Sequence, residues 1–563
     1  MRLCRTPVVA CLVLLAAGCA PTPEYDLVIR GGIVYDGSGD APVIADVAIA
    51  GDSIAAVGED LDCIAHREVD ATGLAVAPGF INMLSWANES LLHDGRSQSD
   101  IRQGVTLEVL GEGFSMGPLN EAMKQEMVEQ QGAIRYPITW TTLGQYLEAL
   151  EQKGISTNVA SFVGAATARI TLLGYENRQP TAEELRAMQD LVREAMREGA
   201  VGVSSSLIYA PAVYAGTDEL IALARAAAEY DGMYASHIRS EGNRLLEAVE
   251  EFVSVVREAG VRGEIYHLKA AGARNWPKLD SVIARIERAR SEGLEITADM
   301  YVYTAAATGM DAMMPPWVLE GGFEQWTRRL RQPAVRARLA REITDPGTSW
   351  ENFYTASASP HNIRAIGFKT DSLKQYTGKT LAEIAARRGT SPVETIMDLV
   401  VQDNSRVETV YFLMSERNIE TKIALPWMSF CSDAGSYAPE GVFLEFSVHP
   451  RAYGNFARLL QRYVNQREIL SMEEAIRRLT TLPAHTLHVD RRGALRVGHY
   501  ADVVVFHPRG FRDYATFEQP HRYARGMVHV FVNGVQVVSD GEHTGRFPGR
   551  VVRGPGYAGS GRR

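Results

Sequence analysis

Four stretches of the chain end in side chains that could hold or use a divalent metal: Gly111-Glu112-Gly113, His237-Ile238-Arg239, His267-Leu268-Lys269 and Ser432-Asp433-Ala434-Gly435. Together they offer two imidazoles and two carboxylates. A catalytic zinc site takes about three nitrogen or oxygen ligands and leaves one position open for water. A further carboxylate beside that water can act as general base. Taken singly, each group has an ordinary explanation: a strand-end His is often a satisfied rim group, and Asp before Ala-Gly often closes a turn or caps a helix. The case for chemistry is that all four stand at the ends of different β-rich runs.

Those runs are the elements that must position them. Apolar, strand-like segments fall at 76–85, 104–111, 158–164, 200–206, 233–237, 264–268, 295–303 and 423–432, with helical stretches between them at 181–198, 218–230 and 243–259. Strands alternating with helices predict a parallel sheet of βα units. Eight such units make a (β/α)8 barrel, whose active site lies at the C-terminal ends of its strands. The gap before the eighth run, about 120 residues, exceeds any ordinary loop and reads as an insertion at about 305–420. Met310, Met313, Met314 and Trp317 open it, as either an apolar lid or core. Short β-branched runs cut by Gly, Asp and Asn-Gly recur at both chain ends, in 26–74 and 485–545. The two ends are expected to pair into one small β-sandwich, leaving the barrel as 75–484 and a flexible tail at 546–563.

The 563 residues are 46% hydrophobic and 22% charged, which supplies a large core and excludes a wholly disordered chain. A net charge of −10, with no basic patch outside the C-terminal tail, argues against nucleic acid as a partner. Arg2 and Arg5 precede an apolar run, 8–17, that is too short to span a bilayer, and Leu15-Ala-Ala-Gly-Cys19 resembles the lipobox of bacterial lipoproteins. The expectation is a signal peptide at 1–18, lipidation at Cys19 and a linker to 25. The chain would then sit on the periplasmic face of a membrane through a lipid anchor alone; an ordinary cleaved signal would leave it soluble in the periplasm or secreted. Cleavage leaves only Cys63 and Cys431 as possible disulfide partners, so no disulfide framework is expected.

Beyond these features, the ordered segments Asp26-Leu-Val-Ile-Arg-Gly-Gly, Ala77-Pro-Gly-Phe-Ile, Gly111-Glu-Gly-Phe-Ser, Gly202-Val-Ser-Ser-Ser-Leu-Ile-Tyr-Ala-Pro, His237-Ile-Arg-Ser-Glu, His267-Leu-Lys, Ser432-Asp and His449-Pro-Arg-Ala-Tyr-Gly-Asn-Phe carry a resemblance. From Tyr25 to Val538 the chain resembles the amidohydrolase superfamily, in particular its D-aminoacylase (N-acyl-D-amino acid deacylase) branch. The resemblance implies one divalent ion, Zn²⁺ with Mn²⁺ or Fe²⁺ as alternatives, on Glu112, His237 and His267. It also implies a metal-activated water attacking an amide carbonyl, with Asp433 as general base and then acid. Lys269, two residues past His267, is expected to bind the substrate carboxylate, and Tyr209, Arg239 and Tyr301 are further candidates for substrate contacts.

Two departures accompany the resemblance. Most amidohydrolases carry His-x-His after the Pro-Gly-Phe-Ile segment, for a more exposed metal; here the place reads Asn82-Met-Leu-Ser85-Trp-Ala-Asn88, so that second site is expected to be absent. The branch's metal-binding Cys is replaced by Glu112, and Gly164-Ala165-Ala166 lacks the His found at the third-strand end in many relatives. Cys431 and His449 are read as structural. The function implied is hydrolysis of N-acyl-D-amino acids or similar small amides. Cyclic amides, lactones or dipeptide-like compounds are the alternative substrates, and a non-catalytic envelope binding protein is the alternative class.

Overall fold

The computed structural model describes residues 24–557; the leader and Cys19 lie outside them. Eight parallel strands follow one another in chain order: Phe80–Asn82, Val105–Leu110, Asn158–Ser161, Gly202–Ser206, Met233–His237, Gly263–Ile265, Ile296–Met300 and Met428–Phe430. The third strand runs on through Val163–Gly164 to pair with the fourth, and every neighbouring pair in register is parallel. The ring closes between the first and eighth strands, where Asp433 N donates to Leu84 O at 2.9 Å and Trp86 N to Ala434 O at 3.0 Å. The result is a (β/α)8 barrel, with the stretch expected as a strand from 423 shortened because Glu416–Ile423 is a helix.

The intervening helices follow their sequence signals. In Ala182–Glu198, Thr181 and Glu184 form a capping box, Gly199 ends the helix with φ 106°, and Met188, Val192, Ala195 and Met196 recur at three- and four-residue spacing as the buried stripe. At the third strand end, position 164 has no room for a side chain. A Cβ on Gly164 would meet the Gly113 carbonyl at 2.3 Å, and the helix Ala165–Leu173 begins at the next residue.

The strands of the two chain ends join where Val503–Phe506 runs antiparallel to Ala75–Pro78. Nine strands, including Leu27–Val34, Val43–Ala50 and Met527–Val532, hydrogen-bond into the β-sandwich domain. Alternation along Val503–Phe506 explains its unbroken apolar sequence. Val503 and Val505 enter the sandwich core with Ile29, Val47 and Phe531, while Val504 and Phe506 enter the barrel's outer core with Phe80 and Val105. Ala75–Pro78, placed by sequence at the start of the barrel, therefore belongs to the sandwich. The segment from 546, expected as a flexible tail, is laid against the barrel: Val159 N donates to Arg550 O, Val552 N to Val159 O and Gly554 N to Gly199 O. Those backbone bonds fix it as far as Gly554.

The insertion is a subdomain built on a three-stranded antiparallel sheet, Ala305–Gly309, Glu408–Phe412 and Ile363–Gly367, with the second strand central. Met310, Met313 and Met314 are buried with Trp326, Leu330, Leu339 and Ile396, so they are its core and not a lid. Trp317 packs at the edge under the Arg338 guanidinium, 3.8 Å from its ring. Among the described residues no helix is long and apolar enough to cross a membrane.

Candidate metal centre

Glu112, His237 and His267 stand at or just past the C-terminal ends of the second, fifth and sixth barrel strands, where this architecture places chemistry. Gly111 (φ 95°) and Gly113 (φ 65°) flank Glu112, and a Cβ on either would collide with Phe162 O or Ser206 Oγ, so the Gly-Glu-Gly sequence lets the carboxylate turn into the barrel mouth. His267 (φ 35°) and Asp433 (φ 47°) also adopt the left-handed backbone region, which is uncommon outside glycine. Each is held there by its own N–H: His267 donates to Asp299 Oδ1 at 2.6 Å, and Asp433 to Leu84 O at 2.9 Å. Non-glycine residues kept in such conformations tend to be functional positions.

One oxygen of Glu112 faces both imidazoles: Oε1 lies 3.1 Å from His237 Nδ1 and 3.0 Å from His267 Nε2, with all three side chains buried. Among the described residues this is the one group of three His, Cys, Asp or Glu side chains whose ligand atoms converge, all within 4.8 Å of one another. Burial would raise the Glu112 pKa, but His267 and His237 outweigh it and hold the carboxylate ionised, below its usual range. Burial and Lys269 push His267 down; Asp433, Glu112 and Glu241 overcome them and bring it up to about 10. A site whose acids draw positive charge this strongly fits a divalent ion, and two imidazoles with a carboxylate suit Zn²⁺, Mn²⁺ or Fe²⁺.

Glu241, which the sequence reading missed, backs the centre. Its Oε1 lies 3.1 Å from His267 Nδ1 and pairs with Lys269 Nζ, and its Oε2 lies 3.7 Å from His237 Nε2. One carboxylate thus faces the outer nitrogen of both rings, the arrangement by which metal-ligating histidines are oriented. The signal was present: Glu241 stands four residues after His237, in His-Ile-Arg-Ser-Glu.

Asp433 lies beside the cluster. Trp86 Nε1 stands 3.1 Å from Glu112 Oε2 and 3.2 Å from Asp433 Oδ1, and Arg451 Nη1 lies 2.8 Å from Asp433 Oδ2. Arg451 is buried and already faces the Asp433 carboxylate through Nη1, while its Nε has no hydrogen-bond acceptor and can donate to a bound anion. It too was missed, although it sits in the quoted His449-Pro-Arg segment. His449 is structural, as read: its ring accepts from Arg451 N and bonds Ala305 O, both at 3.0 Å.

Lys269 Nζ reaches His267 Nδ1 at 2.7 Å as well as Glu241. The Tyr301 ring lies under both cations, 5.7 Å from Lys269 Nζ and 4.4 Å from Arg451 Cζ. Tyr209 packs edge-on to His237, ring centroids 5.4 Å apart, and donates to Thr308 Oγ1 at 2.8 Å. Burial raises the pKa of both phenols far above neutrality, so they are donors. Burial does the same to the Cys431 thiol, which leaves it without nucleophilic character.

Arg239 is not part of the centre. Its guanidinium is consumed by Glu251 at 2.8 and 2.9 Å and by the carbonyls of Val213 and Ala215. The fifth strand ends at His237, so the two-residue alternation that would have aimed Arg239 into the site no longer applies. Arg239→Met is expected to cost about 1–2 kcal/mol of stability and to leave KM unchanged; a tenfold rise in KM would return the residue to the substrate pocket.

Residues 67–538 match the Amidohydrolase family. The D-aminoacylase of Alcaligenes xylosoxydans xylosoxydans is 31% identical over 532 residues, 94% of this chain and 97% of the relative. The N-acyl-D-glutamate deacylase of the same organism is 33% identical over 94% of this chain and 97% of its own length. Among solved structures, a D-aminoacylase with a binuclear metal centre, described in terms of one-metal activation and second-metal attenuation, superposes with a TM-score of 0.78 at 30% identity, covering 94% of this chain and all of the neighbour. An N-acyl-D-glutamate deacylase from Bordetella bronchiseptica, complexed with zinc and a phosphonate mimic of the tetrahedral intermediate, gives 0.77 at 30% identity over the same share of each chain. The chain belongs to the amidohydrolase family, in its D-aminoacylase branch, and is a hydrolase of carbon–nitrogen bonds other than peptide bonds.

Proposed function

We propose that the enzyme hydrolyses the amide bond of N-acyl-D-amino acids, with one divalent ion held by Glu112, His237 and His267 and with Asp433 as the proton carrier. The observation that carries this reading is the convergence of three ligand atoms on one point with a separate carboxylate alongside. An ion held there supplies a Lewis acid that lowers the pKa of a water and polarises the scissile carbonyl. Asp433 accepts the proton of the attacking water and returns it to the leaving nitrogen, which would otherwise depart as a costly amide anion. Arg451 and Lys269 receive the free carboxylate of the substrate. Both cations already have a carboxylate partner, Lys269 Nζ in Glu241 and Arg451 Nη1 in Asp433; Arg451 is the stronger anchor because its Nε remains without an acceptor. Tyr301, buried between the two cations, walls that pocket. The preference for D-amino acids is supported by the named substrates of the relatives. Export and a lipid anchor at Cys19 belong to the same reading.

A panel of N-acetyl-D- and N-acetyl-L-amino acids, cyclic amides and dipeptides tests it. At least a hundredfold higher kcat/KM is expected for the D-series, whereas comparable rates on a cyclic amide would transfer the assignment. The anchor is tested by Arg451→Lys, which keeps the charge beside Asp433 but loses the planar fork. KM should rise about 10- to 100-fold while kcat stays within about threefold, the signature of lost ground-state binding.

A further inference from the structure

Trp86 occupies the point on which two carboxylates of the centre converge. The backbone brings it there: past the first strand the chain is stitched to the eighth, with Met83 N donating to Phe430 O, Asp433 N to Leu84 O and Trp86 N to Ala434 O. This closing seam delivers the indole into the mouth, where its single N–H stands between Glu112 Oε2 at 3.1 Å and Asp433 Oδ1 at 3.2 Å. Two carboxylates facing one point ordinarily hold a cation between them, as in paired-metal hydrolytic sites. Here a neutral donor stands between them. The neighbouring side chains Leu84 and Ala87 are buried hydrocarbon and offer no ligand, and among the described residues no second ligand group converges elsewhere.

We propose that Trp86 fixes this enzyme as a one-metal hydrolase. Its indole fills the ground a second ion would need. Its N–H is a positioning group that aims Asp433 and holds Glu112 Oε2, leaving Oε1, which faces both imidazoles, as the oxygen that would hold an ion. The inference rests on the metal-dependent reading above. It also accounts for a first strand end without histidine: the position supplies a hydrogen-bond donor in place of a ligand.

The test is metal uptake by the full-length chain after stripping, dialysed against Zn²⁺ and separately Mn²⁺, with ions per chain counted by mass spectrometry. The parent protein is expected to saturate at one ion and stay there in excess metal. Leu84→His combined with Trp86→His is expected to take up a second, weaker ion. Trp86→Phe, which keeps a ring but removes the donor, should still bind one ion and lose about tenfold in kcat with KM within twofold, the scale of one hydrogen bond to a charged group. Two ions in the parent protein, or an unchanged kcat in Trp86→Phe, would overturn the proposal while leaving the metal-dependent reading intact. If the parent protein bound no ion, that reading and this inference would fall together.

Discussion

His267→Ala is expected to remove the bound ion and to lower kcat/KM by at least about 10³-fold. Among the described residues the imidazole is one of two ring nitrogens facing Glu112 Oε1, and the Lewis acid it would help hold contributes several kcal/mol to the transition state, each 1.36 kcal/mol being tenfold in rate. Losing it also leaves Glu112 and Glu241, both buried, without the imidazole that lies between them. Excess metal should restore little, because the remaining carboxylate and single imidazole make an incomplete site. Metal analysis and kinetics on the same preparation check the result. Full metal content with full turnover would remove His267 from the ligand set.

Asp433→Asn is expected to separate chemistry from binding. The amide is close in shape, its one oxygen can accept from either Arg451 or Trp86 but not from both, and it leaves Glu112, His237 and His267 untouched, so one ion per chain should remain. What is lost is a group that takes and returns a proton, a contribution of about 10²–10⁴-fold. The fall should appear in kcat, with KM changed by less than about threefold, because the substrate carboxylate is anchored at Arg451 and Lys269. Metal content equal to the parent with near-normal kcat would assign the base elsewhere. Glu241 offers no ready replacement: it is paired with Lys269 and faces the ring nitrogens of the two histidines that point away from Glu112.

Much of this architecture is legible in the sequence, for physical reasons. The barrel strands read as short β-rich runs, and Glu112, His237, His267 and Asp433 each stand at or just past the end of a different one. These four could therefore be read as one rim. Lys269 was placed by strand alternation and does meet His267, though the sixth strand stops at Ile265 and a turn at His267, not the pleat, brings the two together. Applied to Arg239, the same argument fails, because the chain beyond His237 turns toward Glu251. Trp86 reaches Asp433 only when the barrel closes; the contact joins residues 347 apart in sequence, and no local pattern announces it. The tail, expected to be flexible, is held in place for a related reason. Residues 546–554 are held by backbone hydrogen bonds to the third-strand region, which composition does not encode.

The central claim is that one ion, placed by Glu112, His237 and His267, makes this chain a deacylase. Titrating the metal-stripped enzyme with Zn²⁺ while following hydrolysis of an N-acetyl-D-amino acid tests it most directly. Activity should rise in proportion to added ion and level off at one per chain; activity in the stripped enzyme, or none at any stoichiometry across the substrate panel, would contradict the account.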